Sequence, residues 1–244
     1  MHEDKIFGRN PVLEAIKNGR EIDKILIKKG GIEGSLNVIV KKAREAGIIV
    51  VEVDKQKLDG ESGGENHQGV VAYVATHEYV PVSAILERAN EKGHPPLIII
   101  CDKITDPHNL GSIIRTANCA GADGIIIPKR NSVGLNMTVA KTSAGAIEYT
   151  PVARVTNIAQ TIDNLKKDGV WVAGADMAGD PMGKTNLKGA LALVIGSEGE
   201  GISRLVREKC DFLVSIPMMG EINSLNASVA AAVLIYEAVR QRAE

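Results

Sequence analysis

Aromatic residues are scarce in this chain of 244 residues: two Phe, four Tyr and one Trp make up 3% of it. The core must therefore be filled by Ile, Val, Leu and Ala, and an overall hydrophobic content of 44% supplies enough of them. Cysteine is scarce too. Cys101, Cys119 and Cys210 are scattered, form no CxxC pair and leave one thiol over in any pairing, which excludes a disulfide scaffold and favours a reducing compartment. No apolar run approaches the roughly 18 residues of a membrane span, and the opening MHEDKIFGRN carries no apolar signal region. A cytoplasmic protein without a membrane partner is expected. Net charge is almost absent as well, at −1. Attraction of nucleic acid by the whole surface is excluded, so such a partner would have to be held by local patches or motifs. His67, His77, His94 and His108 lack metal-ligand spacing, and no metal is expected. A nucleophile elbow and a P-loop are also missing.

What is present suggests an α/β chain of two domains. In the first part, Asn10-Pro11 reads as a helix start, with Gly19 as its stop. Residues 22–27 and 48–53 and the run GVVAYVA (69–75) read as strands. Ser35 opens an amphipathic stretch that Gly47 closes, and DGESGGENHQ (59–68) reads as a loop. Residues 1–76 are assigned to this small domain and 77–96 to a linker, in which prolines bracket a short helical stretch over residues 83–92. From residue 97 to 244 the pattern changes. LIIIC (97–101), GIIIP (124–128), VWVAGA (170–175), LALVIG (191–196) and FLVSIP (212–217) are continuously apolar, and helical patterns separate most of them. Such runs predict a parallel sheet covered on both faces.

In open parallel sheets, ligands bind beyond the carboxyl ends of the strands. Three of those ends are unusual here. After LIIIC, Asn109 is placed to cap a helix whose apolar face is Leu110, Ile113, Ile114 and Ala117. Arg115 lies on another face, about 9 Å along the axis. The pair is either a cap with a surface arginine or a site where a guanidinium reaches a phosphate or a ribose oxygen. After LALVI comes GSEGEG (196–201), whose glycines Gly196, Gly199 and Gly201 allow close backbone approach to a ligand. The order differs from the dinucleotide fingerprint, which argues against a nucleotide-dependent oxidoreductase. Glu198 in that turn is suited to accept hydrogen bonds from a hydroxyl or to orient Arg115. After FLVSIP, a loop with Met218 leads to SLNAS (224–228), where Ser224 or Asn226 caps a long Ala-rich helix. That helix has a small-residue face (Ala227, Ala230, Ala231 and Ala238) suited to an ordinary core or to a contact between subunits.

Taken in order, Asn109 with Arg115, the GSEGEG turn with Glu198, and SLNAS with Ser224 and Asn226 resemble the three signature motifs of the SpoU (TrmH) family of RNA ribose 2′-O-methyltransferases. The resemblance covers roughly residues 96–242. FGRNPVLEAI and HQGVVAYV resemble the substrate-binding domain that precedes the catalytic domain in some members, which has a fold like that of ribosomal protein L30e. With it, the chain is most similar to the branch acting on guanosine of 23S rRNA. The resemblance implies a trefoil-knotted parallel-sheet domain that binds S-adenosyl-L-methionine in a bent shape. Gly196, Gly201, Ile216, Met218 and Leu225 would contact this donor. It also implies a homodimer through the knotted domains, ribosomal or transfer RNA as partner, and no metal. The implied catalytic set is Asn109, Arg115, Glu198, Ser224 and Asn226.

In that set, Arg115 is assigned to activating the ribose hydroxyl. A guanidinium has a pKa above about 12 and does not ordinarily act as a base. Electrostatic stabilisation of the developing alkoxide by Arg115 is the better expectation, with the proton leaving to a phosphate, to water or to Glu198. A non-catalytic RNA-binding protein of the same shape is the rival reading; the intact Arg115 and Asn226 argue against it.

Overall fold

The computed structural model describes residues 4–30 and 34–244; the first three residues of the opening segment, where a leader was sought, lie outside them. The chain divides into two compact units, residues 1–78 with 135–137, and residues 79–134 with 138–244.

The small unit runs β1 (Lys5–Phe7), α1 (Arg9–Lys17), β2 (Ile22–Lys28), α2 (Ser35–Glu45), β3 (Ile49–Val53), α3 (Lys55–Ser62) and β4 (Val70–Val74). Its four strands lie in the order β1-β4-β2-β3. The β2–β3 pair is parallel, whereas β4 runs antiparallel to both its neighbours. Helices α1 and α2 bury Val12, Leu36, Ile39 and Ala43 against Ile25, Ile27, Val70 and Ala72. Two expectations need correcting. Helix α1 starts at Arg9, one residue before the expected cap Asn10, so Pro11 is its third residue; Gly8 at φ 88° makes the entry. The polar stretch 59–68 is not all loop, because α3 occupies it as far as Ser62. One apolar anchor suffices there: Leu58 is fully buried against Leu26 and Val71. Glu61 ties the helix down further. Partial burial acts to raise its pKa, but hydrogen bonds from Lys57, Tyr73 and Lys5 outweigh it and hold the carboxyl down at about 2.

The larger unit continues with α4 (Val82–Lys92), β5 (Leu97–Cys101), α5 (Pro107–Cys119), β6 (Gly124–Pro128), α6 (Met137–Thr142), β7 (Val152–Val155), α7 (Ile158–Lys167), β8 (Trp171–Pro181), β9 (Leu191–Ile195), α8 (Arg204–Lys209), β10 (Phe212–Ser215) and α9 (Ala227–Arg242). All six strands are parallel, in the order β10-β8-β9-β5-β6-β7. The order in which strands are added reverses at β5, which has β6 on one side and β9 on the other. That is the place where an open parallel sheet gapes at its carboxyl edge. Strands β5 and β9 are buried along their whole length, which explains their unbroken apolar runs.

Residues 77–96, read as a linker from their prolines, are structured from Tyr79 onward. Val80 bridges Ala153, and α4 sinks Ile85 and Ala89 completely into the larger core. The β8 strand runs six residues beyond the expected Ala175. Its partner β10 skips from Gly174 to Asp180, so residues 175–179 bulge between two paired stretches. The ends of the unit are tied by Arg242, whose guanidinium donates to the carbonyls of Pro95 (3.1 Å), Pro96 (2.7 Å) and Gly189.

Candidate functional site

Three chain segments meet at the carboxyl edge of the sheet, and each arrives for a local reason. The segment after β5 enters α5 through Asp106. Its carboxylate accepts the amide of His108 at 2.9 Å, with Pro107 at the first helical position. Asp106 is therefore the cap, not Asn109 as expected. Asn109 sits one turn inside, 8% exposed, with its side chain free to point across the edge. After β9 the chain turns back on itself. Ser197 and Gly201 exchange backbone hydrogen bonds of 3.1 and 3.0 Å, while Gly199 and Gly201 take left-handed φ values of 83° and 67°. Gly196 has a different task. A Cβ there would sit 2.1 Å from the carbonyl carbon of Gly201, so only glycine lets these two strands of chain cross. Asp102, 5% exposed at the end of β5, holds the far side of the turn by accepting the Ser203 amide at 2.7 Å.

Glu198 at the tip of the turn is the centre of the arrangement. Its Oε1 accepts from Asn109 Nδ2 at 3.0 Å, from the Ala227 amide at 3.4 Å and, at very short range, from Asn226 Nδ2. Asn226 Nδ2 also donates to Asn109 Oδ1 at 2.9 Å. The Oδ1 of Asn226 accepts the amides of Ser228 (2.9 Å) and Val229 (3.3 Å), capping α9. Of the two candidate caps, Asn226 fills the role and Ser224 stays exposed. Two amides and one carboxylate thus join residues far apart in sequence. Both ends of each asparagine amide find a partner, and the carboxylate end of Glu198 bonds through Oε1.

Just before that junction the chain is bare. Residues 217–225, which include Met218, Ser224 and Leu225, make no hydrogen bond with the described residues. Met219 and Ile222 are 96% and 76% exposed. Free backbone donors and acceptors next to exposed apolar side chains suit a ligand with a hydrogen-bonding edge and an apolar face. Of the expected donor contacts, Met218 and Leu225 lie in this stretch, Ile216 directly precedes it, and Gly196 and Gly201 belong to the glycine turn.

Arg115 is not joined to the cluster. It lies exposed on α5 and makes no hydrogen bond or ion pair among the described residues. Six residues of helix set it about 120° round the axis from Asn109. Neither Glu198, Asn109 nor Asn226 orients it within one chain. The thiols offer no alternative nucleophile near β5 or β10. Burial pushes both Cys101 and Cys210 up to about 12. No group of three His, Cys, Asp or Glu that could hold a metal occurs among the described residues. None of the described helices is long and apolar enough to cross a membrane.

Sequence reasoning missed three participants. Asp106 was legible in its Asp-Pro spelling. Asp102 and Gly111 were not, because their roles are tertiary. A Cβ on Gly111 would meet Thr142 Cβ at 2.6 Å and the Val139 carbonyl at 2.9 Å, so this glycine brings α5 and α6 together. The small unit has its own polar cavity of about 710 Å³, lined among others by Arg9, Lys28, Lys55, His67 and Gln68. Arg9 is set there by bonds to the Gln68 carbonyl and the Ser35 hydroxyl, at 3.0 and 3.2 Å.

Residues 96–236 match the model of the SpoU rRNA methylase family, and residues 5–80 match that of an RNA 2′-O ribose methyltransferase substrate-binding domain. The Bacillus subtilis (strain 168) protein YacO, assigned by name to the TrmH family of tRNA/rRNA methyltransferases, is 48% identical over 244 residues. The match covers 99% of this chain and 97% of that protein. A Staphylococcus aureus (strain MSSA476) protein assigned to the same family is 51% identical, with coverage of 99% and 98%. Among solved structures, the SpoU methyltransferase AviRb from Streptomyces viridochromogenes, in complex with AdoMet, superposes with a TM-score of 0.62 at 26% identity. It covers 97% of this chain and 89% of its own.

Proposed function

This chain belongs to the SpoU rRNA methylase family and is an RNA methyltransferase, and on that premise we propose that it methylates a ribose 2′-hydroxyl, most specifically of a guanosine in 23S rRNA. The observation that carries the proposal is the meeting of Asn109, Glu198 and Asn226 at the carboxyl edge of a parallel sheet, beside nine residues of unbonded chain. S-adenosylmethionine is the methyl donor, and its sulfonium supplies an already activated methyl group. Gly196, Gly201, Ile216, Met218 and Leu225 border it, largely through backbone groups, and Ser224 orders the loop around it. The Asn109–Glu198–Asn226 cluster holds the turn and the loop in register. Arg115 stabilises negative charge as it develops on the ribose oxygen.

The stretch between Gly196 and Ser224 is the part of the chain that forms the knot. The protein acts in the cytoplasm as a homodimer through the knotted domains, with the sites at the interface. Two features support that pairing: Arg115 has no partner among the described residues, and α9 exposes Val229 and Tyr236, seven residues apart on one face. Residues 1–76 select the RNA, and the polar cavity around Arg9, Lys28 and Lys55, which Asp59 and Glu65 also line, is the surface that grips it. Mapping 2′-O-methyl positions in total RNA from a strain lacking the gene tests this reading. Loss of one guanosine methylation in 23S rRNA is the expected result. Loss confined to transfer RNA would reassign the substrate, and an unchanged ribose map would refute the proposal.

A further inference from the structure

Moving a methyl group onto a ribose hydroxyl leaves a proton to be placed, and the groups already assigned are poorly suited to take it. A guanidinium such as that of Arg115 is not a base near neutrality. Glu198 Oε1 is occupied by the N–H groups of Asn109, Asn226 and Ala227. A proton on the carboxyl, even at Oε2, would remove the charge that strengthens the bonds joining the three segments. The carboxylate of Asp106 is committed to the amide of His108.

His108 is different. It occupies the second position of α5, next to Asn109, and its ring is exposed. Its Nδ1 lies 3.4 Å from Thr142 Oγ1. This contact is set by packing: Gly111, one turn further along α5, lets the Thr142 region of α6 approach to a distance that no side chain would permit. With Nδ1–H donating to Thr142 Oγ1, Nε2 carries the lone pair and makes no hydrogen bond among the described residues. An imidazole held at one nitrogen by a side-chain oxygen and open at the other is a common arrangement for a general base. Ser112 and Arg115 follow at i+4 and i+7, so the open ring and the guanidinium share one face of the helix.

We infer that His108, oriented by Thr142, accepts the proton of the ribose 2′-hydroxyl during methyl transfer. This rests on the 2′-hydroxyl reading above. As the O2′–methyl bond forms and the sulfur–methyl bond breaks, the hydroxyl proton passes to His108 Nε2. The products are the methylated ribose, S-adenosylhomocysteine and an imidazolium, which returns its proton to water. The charged groups around the ring are Asp106 and Arg115 on its own helix and Lys141 on α6. Lys103, Glu198 and Glu200 surround the adjacent turn, and Lys103 and Glu200 pair with each other at 3.4 Å.

The test is the pH dependence of kcat for methyl transfer to total RNA from a strain lacking the gene, in the wild type, His108→Gln and Thr142→Val. In the wild type, kcat rises with pH to a plateau. His108→Gln lowers the plateau by about 100-fold or more and removes the acid limb. Affinity for S-adenosylhomocysteine, measured by calorimetry, and KM for RNA stay within about threefold. Thr142→Val moves the limb and lowers kcat by about tenfold or less. An intact acid limb in His108→Gln, or a defect confined to KM for RNA, would overturn the assignment and leave the 2′-hydroxyl reading standing. Absence of any 2′-O-methyl nucleotide in the wild-type product would take both down together.

Discussion

Two stretches that meet at Asn226 could hardly be more unlike. On one side, Asn109, Glu198 and Asn226 share one set of hydrogen bonds that links three distant segments and caps a helix of sixteen residues. On the other, residues 217–225 bond to nothing among the described residues. The contrast separates two jobs. The bonded part fixes geometry before any ligand arrives, so no reorganisation is needed at the moment of reaction. The bare part keeps its backbone groups for a ligand, and local stability is lowest where a protein binds.

Three experiments break or sharpen that contrast. The largest effect is expected outside both stretches. Arg115→Ala should lower kcat by about 1,000-fold, the scale of a lost electrostatic contact to a developing anion. Binding of S-adenosylhomocysteine should persist in calorimetry; its loss would move Arg115 from the chemistry to donor recognition. Next, Asn226→Ala removes a helix cap worth about 1 kcal/mol and strips Glu198 and Asn109 of a partner. The larger unit should lose about 2 kcal/mol in denaturant unfolding, and a stability within about 0.5 kcal/mol of wild type would show that the bonded cluster does not hold the fold. The smallest effect is on the bare stretch. Adding S-adenosylhomocysteine should slow amide exchange over residues 217–225 by about tenfold or more and leave the Ala227 amide nearly unchanged. Equal slowing on both sides would erase the distinction.

Much of the architecture was readable in the chain because burial on both faces leaves an unambiguous mark. The runs 97–101, 124–128 and 191–195 are strands in the structure and carry no interruption. Elements that face solvent were harder to read. Strand β7, the edge strand VARV, holds Arg154 and is too short to show a period. Helix α3 contains Gly60 and is polar except for Leu58, so its existence depends on one buried contact that only the fold supplies. The polar tail of β8 is a strand only because β10 resumes pairing beyond the bulge. At the site, residue identity was legible through the ordered motifs, but the division of labour was not. Asp106 caps where Asn109 was expected to, and Glu198 grips the two asparagines instead of Arg115. Hydrogen-bond partners separated by 28 to 117 residues leave no trace in local spacing.

Arg242 adds a matter of timing. Its guanidinium closes on the carbonyls of Pro95 and Pro96, which lead into β5, and this joins positions 146 to 147 residues apart. During synthesis every strand of the parallel sheet leaves the ribosome before the residue that fastens the two ends. The strands of the larger unit are therefore made before their clasp, and a variant lacking the Arg242 guanidinium would present all six strands without it.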